Sequence, residues 1–252
     1  AVLGLIDGVG DAVVSLEQAF AGYYSDKLQK RKGFVWLGYL FGAASRIGYA
    51  LTTSWQMLIP FRILDRAGKI RSAPRDAIVA DLSTESDRGR NFGFLRAMDN
   101  LGAVFGIVFC LIFINIGYTN LFLIAAIPSV IGSLLVLKLI KEKPALRAKA
   151  FKGLSFKQLD SNFKLFLFLS ALFSIGSFSY SFLLLYAFDS GFEKGGLPVI
   201  YLIFTVVAAI FSLPFGKLSD KMGRKNVLFI SFFFWALVCV GLLFSQNYWG
   251  II

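Results

Sequence analysis

The sequence has no histidine and only two cysteines in 252 residues. The first absence removes the commonest general base, the commonest metal ligand and a frequent proton carrier. The two cysteines, Cys110 and Cys239, both fall inside apolar stretches, so a disulfide framework is not indicated and packing is their expected role. Acids are scarce as well: 15 Asp and Glu stand against 26 Lys and Arg, a formal net charge of +11. No nucleophile–base constellation and no metal-ligand spacing is legible, so neither an enzyme nor a cofactor is expected. The chain opens without methionine, directly inside an apolar stretch, and no signal peptide can be read. It reads as a cut piece.

What is present is hydrophobic. Apolar residues make up 57% of the chain and aromatic ones 16%, where a soluble domain runs at about 45–50% apolar. The excess falls into eight blocks, at 1–24, 33–53, 57–80, 92–114, 119–140, 165–188, 197–215 and 226–246. Each approaches the roughly 20 residues that a helix needs to cross a bilayer. The alternating pattern of a membrane barrel is missing. An all-α, multi-pass membrane protein is expected.

The placement of positive charge argues against nucleic acid as its reason. If the first block runs outside to inside, the connections at 25–32, 81–91, 138–164 and 216–225 face the cytoplasm and hold 18 of the 26 Lys and Arg. The opposite connections hold one, Lys194. That asymmetry sets orientation, with the region from Gly191 to Gly195 external. Attraction to anionic lipid headgroups follows as a secondary effect. The longest polar stretch, residues 141–164, carries seven Lys and Arg against two acids. It reads as a cytoplasmic linker, with 151–163 lying partly on the membrane surface through Phe151, Leu154, Phe156, Leu159 and Phe163.

One short polar phrase is written twice. "GYYSDKLQKRKGF" at 22–34 and "GKLSDKMGRKNVL" at 216–228 both open on Gly, carry Ser-Asp-Lys three residues later and end in basic residues. Each falls between two apolar blocks on the basic side. Weak internal repeats of this kind mark transporter folds built from similar halves. The second phrase resembles the cytoplasmic signature of the major facilitator superfamily, Gly-x-Leu-(Ser/Ala)-Asp-(Arg/Lys)-x-Gly-Arg-(Arg/Lys), through Gly216, Leu218, Ser219, Asp220, Lys221, Gly223, Arg224 and Lys225. The first keeps Gly22, Ser25, Asp26, Lys27, Lys30 and Arg31, and departs from it at Tyr24 and Gln29. "RILDRAGK" from Arg62 resembles the fourth-helix signature of the same family, and "DRGRNFG" at 87–93 resembles the start of its fifth helix. "LDRAGKIRSAPRDAIVAD" is similar to a subgroup of bacterial and archaeal members.

The resemblance implies helices 2 to 9 of a twelve-helix bundle with two pseudo-symmetric halves, incomplete in this chain. Residues 1–140 would be the N-terminal half (helices 2–6), 141–164 the linker, and 165–252 part of the C-terminal half (helices 7–9 and the start of helix 10). It implies a multi-pass protein of a prokaryotic plasma membrane that moves a small organic solute by alternating access, with protons as a candidate coupling ion. A multidrug exporter is the first alternative, although Ile107 stands where the drug antiporters carry proline. A transporter-like solute receptor is the alternative from another class. The two polar phrases, Gly22, Asp26, Lys27, Lys30 and Arg31 together with Gly216, Asp220, Lys221, Gly223, Arg224 and Lys225, are read as a conformational latch. Asp220 is expected near residues 89–92 when the cytoplasmic side is closed. The bland alternative is a pair of ordinary basic turns.

Charge at membrane depth is costly and usually functional. Asp7, Asp11 and Glu17 lie in the first block, Arg46 in the second, Arg62, Asp65, Arg66 and Lys69 in the third, and Asp99 in the fourth. The four of the third block share about a third of the helix circumference. Asp7, Asp11, Arg62, Asp65, Arg66, Lys69 and Asp99 are candidates for a solute or ion pathway. Structural pairing is the competing reading, and for Arg46, Glu17, Arg71 and Arg75 it is preferred. Asp7 or Asp11 is expected within pairing distance of Arg46, Arg62 or Arg66. The last three blocks carry hydroxyls instead, among them Ser174, Ser177, Tyr180, Tyr186, Tyr201 and Thr205, and helix packing is their preferred reading over a hydrogen-bonding wall.

Overall fold

The computed structural model describes residues 2–140, 159–177, 180–189, 191–192 and 196–244, except the side chains of 2–7, 9 and 55. Residues 151–158 of the expected surface segment at 151–163 and most of the linker at 141–164 fall outside the described residues, as do Lys194 and the start of a further helix after residue 244; residues 161–163 open α7. Ten α-helices follow in order: α1 (Val2–Leu28), α2 (Lys32–Leu51), α3 (Trp55–Ala67), α4 (Ser72–Leu82), α5 (Arg88–Phe113), α6 (Tyr118–Leu139), α7 (Ser161–Ile175), α8 (Tyr180–Asp189), α9 (Leu197–Met222) and α10 (Arg224–Phe244). Among the described residues five helical segments, including α5, α6, α9 and α10, are long and apolar enough to cross a bilayer.

Two apolar blocks that read as single helices are broken. The third divides into α3 and α4 around a 3-10 turn at Gly68–Arg71. Pro74 offers no N–H to the carbonyl four residues back, so the chain tightens before it and starts again with Pro74 in the first turn of α4. The sixth stops at Ile175, where Gly176 and Ser177 donate N–H bonds to Phe173 and Ser174 in 3-10 fashion. The polar phrases, in turn, are more helical than expected. Gly216–Met222 continue α9 and residues 22–28 continue α1. Each helix ends one residue later, at Gly223 (φ 85°) and at Gln29 (φ 52°). Gly223 meets that left-handed requirement without a Cβ, whereas Gln29 adopts it against steric preference. Gln29→Gly is therefore expected to raise stability by up to about 1 kcal/mol, read as a higher Tm. An unchanged or lower Tm would show that the Gln29 Nε2 bond to Asp26 O, at 2.6 Å, offsets the strain.

The interior is built from small residues. Ala21, Ala43, Ala50, Ala97, Ala126 and Ala209 are buried, with Ser25, Ser45, Ser133 and Thr205, while Phe105 and Leu243 are more than 70% exposed. This inversion suits a lipid surround, in which close backbone packing holds helices together. α2 packs along α6 and against α3 and its 3-10 turn; α1 packs against α3, the turn and α4; α9 packs against α8 and α10. The most extensive contact of all joins α5 to α9, across the polar stretch at 141–158.

Candidate functional site

The seam between α5 and α9 follows from residue size. Gly89, Gly93 and Ala97 recur every fourth residue along one face of α5, opposite Ala209, Ser212 and Gly216 of α9. A Cβ on Gly89 would lie 2.5 Å from Gly216 O, and one on Gly93 would lie 2.6 Å from Ser212 O. Ala97 and Ala209 are each 6% exposed. Further along, Asn100 Nδ2 faces Ser212 Oγ at 3.5 Å.

At the end of this seam Asp220, one turn beyond Gly216, reaches the first turn of α5. Its Oδ1 accepts from Gly89 N–H and its Oδ2 from Arg90 N–H, both at 2.7 Å. These are two of the N–H groups that a helix start leaves unsatisfied. A carboxylate there gains from charge-assisted bonds and from the helix dipole. The residue preceding α5, Asp87, makes no capping bond to its own helix and accepts instead from Thr84 N–H at 2.8 Å. Asp220 thus caps α5 from another helix. Asn226 closes the other side of the turn, donating to Met222 O at 2.7 Å. Lys221, Arg224 and Lys225 are exposed.

The first polar phrase is held differently. Arg31 bridges Asp26, at 2.9 Å, and Asp81 at the end of α4. Burial opposes the charge of Arg31, but the two carboxylates outweigh it and hold its pKa above the ordinary guanidinium value. Gly22 packs toward Ala73 of α4, and Lys27 and Lys30 are exposed. Both phrases therefore cluster at the end of the bundle where α1, α4 and α9 finish and α2, α5 and α10 begin.

The charges within the apolar helices separate into two groups. Arg75 of α4 forms a two-bond pair with Asp99 of α5, at 2.9 and 2.8 Å. Arg96 reaches Asp76 at 2.6 Å and Asp99 at 3.3 Å, closing a neutral four-residue network between α4 and α5. The preferred pairing role of Arg75 is realised here, and Asp99 is part of it. By contrast, among the described residues Asp11, Arg46, Arg62, Asp65, Arg66, Lys69 and Arg71 form no ion pair within 4.0 Å. Asp11 and Arg62 are exposed, while Asp65, Arg66 and Lys69 are half-buried along one face of α3 and its turn. Tyr49 of α2 lies within electrostatic reach of Asp65, Arg62 and Arg66. The expected pairing of Asp11 with Arg46, Arg62 or Arg66 is thus not formed; Asp7 lies outside the described side chains. Glu17 does not pair either, and its Oε2 is buried without a partner among the described residues.

Two of the hydroxyls after residue 165 turn back on their own helices, while Tyr186 Oη reaches across to Leu242 O of α10 at 3.5 Å. Ser177 donates to Ser174 O at 2.9 Å and Thr205 to Tyr201 O at 2.7 Å. Tyr180 packs its ring on Tyr201 and Phe204, with centroids 5.1 and 4.9 Å away. Of the seam, Asp220, Gly216 and the stretch at 87–93 stood out in the sequence. The four-residue spacing of Gly89 and Gly93 was the available signal for the rest.

A bundle of apolar helices around a small-residue interior, with a carboxylate of one helix capping another at a basic end, defines a polytopic helical membrane protein. The comparison with known families makes this specific: the family model of the Major Facilitator Superfamily matches residues 2–252, and the chain belongs to that superfamily. It is 38% identical over 252 aligned positions to the uncharacterized MFS-type transporter MJ1317 of Methanocaldococcus jannaschii, covering 95% of this chain and 62% of that relative. It is 32% identical over 117 positions to the uncharacterized MFS-type transporter YxiO of Bacillus subtilis, covering 43% of this chain and 26% of that protein. The chain thus spans less than two thirds of the length of either.

Proposed function

We propose that this chain forms the larger part of a secondary transporter that moves a small organic solute by alternating access across a prokaryotic plasma membrane. Residues 1–140 and 165–252 belong on this reading to two halves that rock against each other, with 141–164 as their cytoplasmic linker. The observation that carries the reading is the Asp220 cap on α5. It joins the helices on either side of the linker through two charge-assisted bonds at the basic end, which the distribution of Lys and Arg assigns to the cytoplasm. Such a contact exists only while that end is closed, so it acts as a latch. Arg62, Asp65, Arg66 and Lys69, which form no ion pair within 4.0 Å among the described residues, supply on this reading the polar groups for a charged or zwitterionic solute. Unpaired carboxylates supply a route for coupling to protons.

Asp220→Asn keeps size and removes charge. The expected loss is about 1–1.4 kcal/mol of closed-state stability, a five- to tenfold shift toward the open cytoplasmic side. A cysteine at Ser212, in full-length protein with Cys110 and Cys239 replaced by serine, should react five to ten times faster with a water-soluble maleimide in inverted vesicles, while Tm stays near that of the parent. Equal labelling rates would count against the latch. Solutes that raise Tm in a screen should then be taken up into, or released from, liposomes carrying the protein. Binding without movement would favour the receptor reading.

A further inference from the structure

Arg46 and Arg71 were expected to hold helices together through ion pairs, and among the described residues neither forms one. Each donates instead to a backbone carbonyl, Arg46 to Gly42 O at 2.8 Å and Arg71 to Gly68 O at 2.6 Å. Arg71 also stacks over the ring of Tyr39, 5.0 Å from its centroid. A guanidinium has five N–H donors, so each keeps donors in reserve. Both line one cavity of about 200 Å³, together with Tyr39, Gly42, Ser129 and Gly132. Gly42 lies midway along α2 and Ser129 midway along α6, so the cavity sits near the middle of the bilayer.

Two unneutralised cations at that depth are unfavourable. They lie close enough to repel each other, and Asp65 acts on Arg71 only from beyond bridging distance. Lys69 adds a further cation nearby. We propose that this cavity binds one small oxyanion, a phosphate, sulfate or carboxylate group, between the guanidinium groups of Arg46 and Arg71. The planar guanidinium fork matches the oxygens of such a group. The volume corresponds to about seven waters at roughly 30 Å³ each, enough for a tetrahedral oxyanion and residual water. The Ser129 hydroxyl, which donates to Ala125 O at 3.1 Å, can rotate to serve the anion. A phospholipid phosphate has the same chemistry, but its place is at the interface. The mid-depth position therefore assigns the site to a free anion. The cavity is not lined by Arg62, Asp65, Arg66 or Lys69, so it is separate from the pathway proposed above and does not depend on transport.

The test uses thermal unfolding of the full-length protein in detergent. Sodium phosphate and sodium sulfate are compared with sodium chloride at matched ionic strength, and phosphatidylglycerol micelles form a separate arm. At saturation the oxyanions should raise Tm by about 2–4 °C over chloride. Arg46→Gln and Arg71→Gln should each abolish the rise, and Arg62→Gln should retain it. Gly132→Val provides a variant that leaves both cations in place. A Cβ there meets nothing within 4 Å, so the branched side chain should fill the cavity, preserve the fold and remove the response. The proposal is overturned if phosphate and sulfate act no differently from chloride, which is also the outcome if a carboxylate from elsewhere in the full-length protein neutralises the pair. It is equally overturned if the response survives in the Arg46, Arg71 or Gly132 variants. A rise with phosphatidylglycerol alone would overturn the assignment to a free anion.

Discussion

Gly93→Val is expected to remove most of the cytoplasm-closed population of the full-length protein and to reduce transport accordingly. A Cβ at Gly93 would meet the backbone of α9, 2.6 Å from Ser212 O and 3.1 Å from Gly216 Cα. Backbone cannot swing aside as a flexible side chain can, so α5 and α9 must move apart. Overpacking of this kind costs about 1–3 kcal/mol. Because the cost applies only to the state in which the helices touch, it shifts the conformational equilibrium by about 5–150-fold. Maleimide labelling of a cysteine at Ser212 should rise by a factor in that range, above the rise expected for Asp220→Asn. The same helix supplies its own control, since a Cβ at Gly102 or Gly106 meets nothing within 4 Å. Gly106→Val should label at the parental rate. If the Gly93 and Gly106 variants behave alike, the close crossing is not part of the working cycle.

Asp99→Ala should produce the largest loss of stability among charge removals. It leaves Arg75, whose side chain is only 16% exposed, without its two-bond partner and with only the 3.8 Å contact to Asp76, which it then shares with Arg96. An unpaired charge at membrane depth costs about 2.5–3.5 kcal/mol on insertion scales. Partial exposure of the network reduces the expected destabilisation to about 2–3 kcal/mol. Adding Arg75→Leu removes the excess cation and should restore at least half of the loss, a coupling of about 1–2 kcal/mol. Thermal unfolding of the two single variants and the double variant gives the cycle. Strict additivity would show that the pair contributes nothing beyond its separate side chains.

Every apolar block of the sequence is mostly helical where it is described, because a hydropathy run of bilayer length has one low-energy form in lipid. The breaks were not legible in the same way. A run average does not register the missing N–H of Pro74 or the stop at Gly176, which are properties of single residues. The polar phrases read as loops because they are charged, yet α9 continues to Met222. Charges on a helix that has left the hydrocarbon are simply solvated. The partner of Asp220 could be anticipated from the repeat, since equivalent positions in two similar halves meet equivalent neighbours. Its atoms could not, because they are main-chain N–H groups of Gly89 and Arg90, which no side-chain pattern announces. Depth and helical periodicity placed Arg62, Asp65, Arg66 and Lys69 on one face. They did not fix how α1 is rotated toward α3, and so the expected pairing of Asp11 failed. Arg75 and Asp99, in contrast, stand where α4 and α5 face each other.

Because the cap on α5 is received by backbone, its two ends are unequal in what heredity can change. The N–H groups of Gly89 and Arg90 are the same atoms whatever residue other than proline stands there, provided position 89 stays small. All variation in charge or reach must enter through the single carboxylate of Asp220. A side-chain pair can drift by exchanging both members, acid for base and base for acid, over successive generations. Here no exchange is open: a base at 220 would face N–H groups that cannot become acceptors. The polarity of the contact, acid on α9 and helix start on α5, is therefore frozen by the direction in which the chain runs. Tuning is left to the surroundings, to the small residues of the seam and to the neighbouring Asp87.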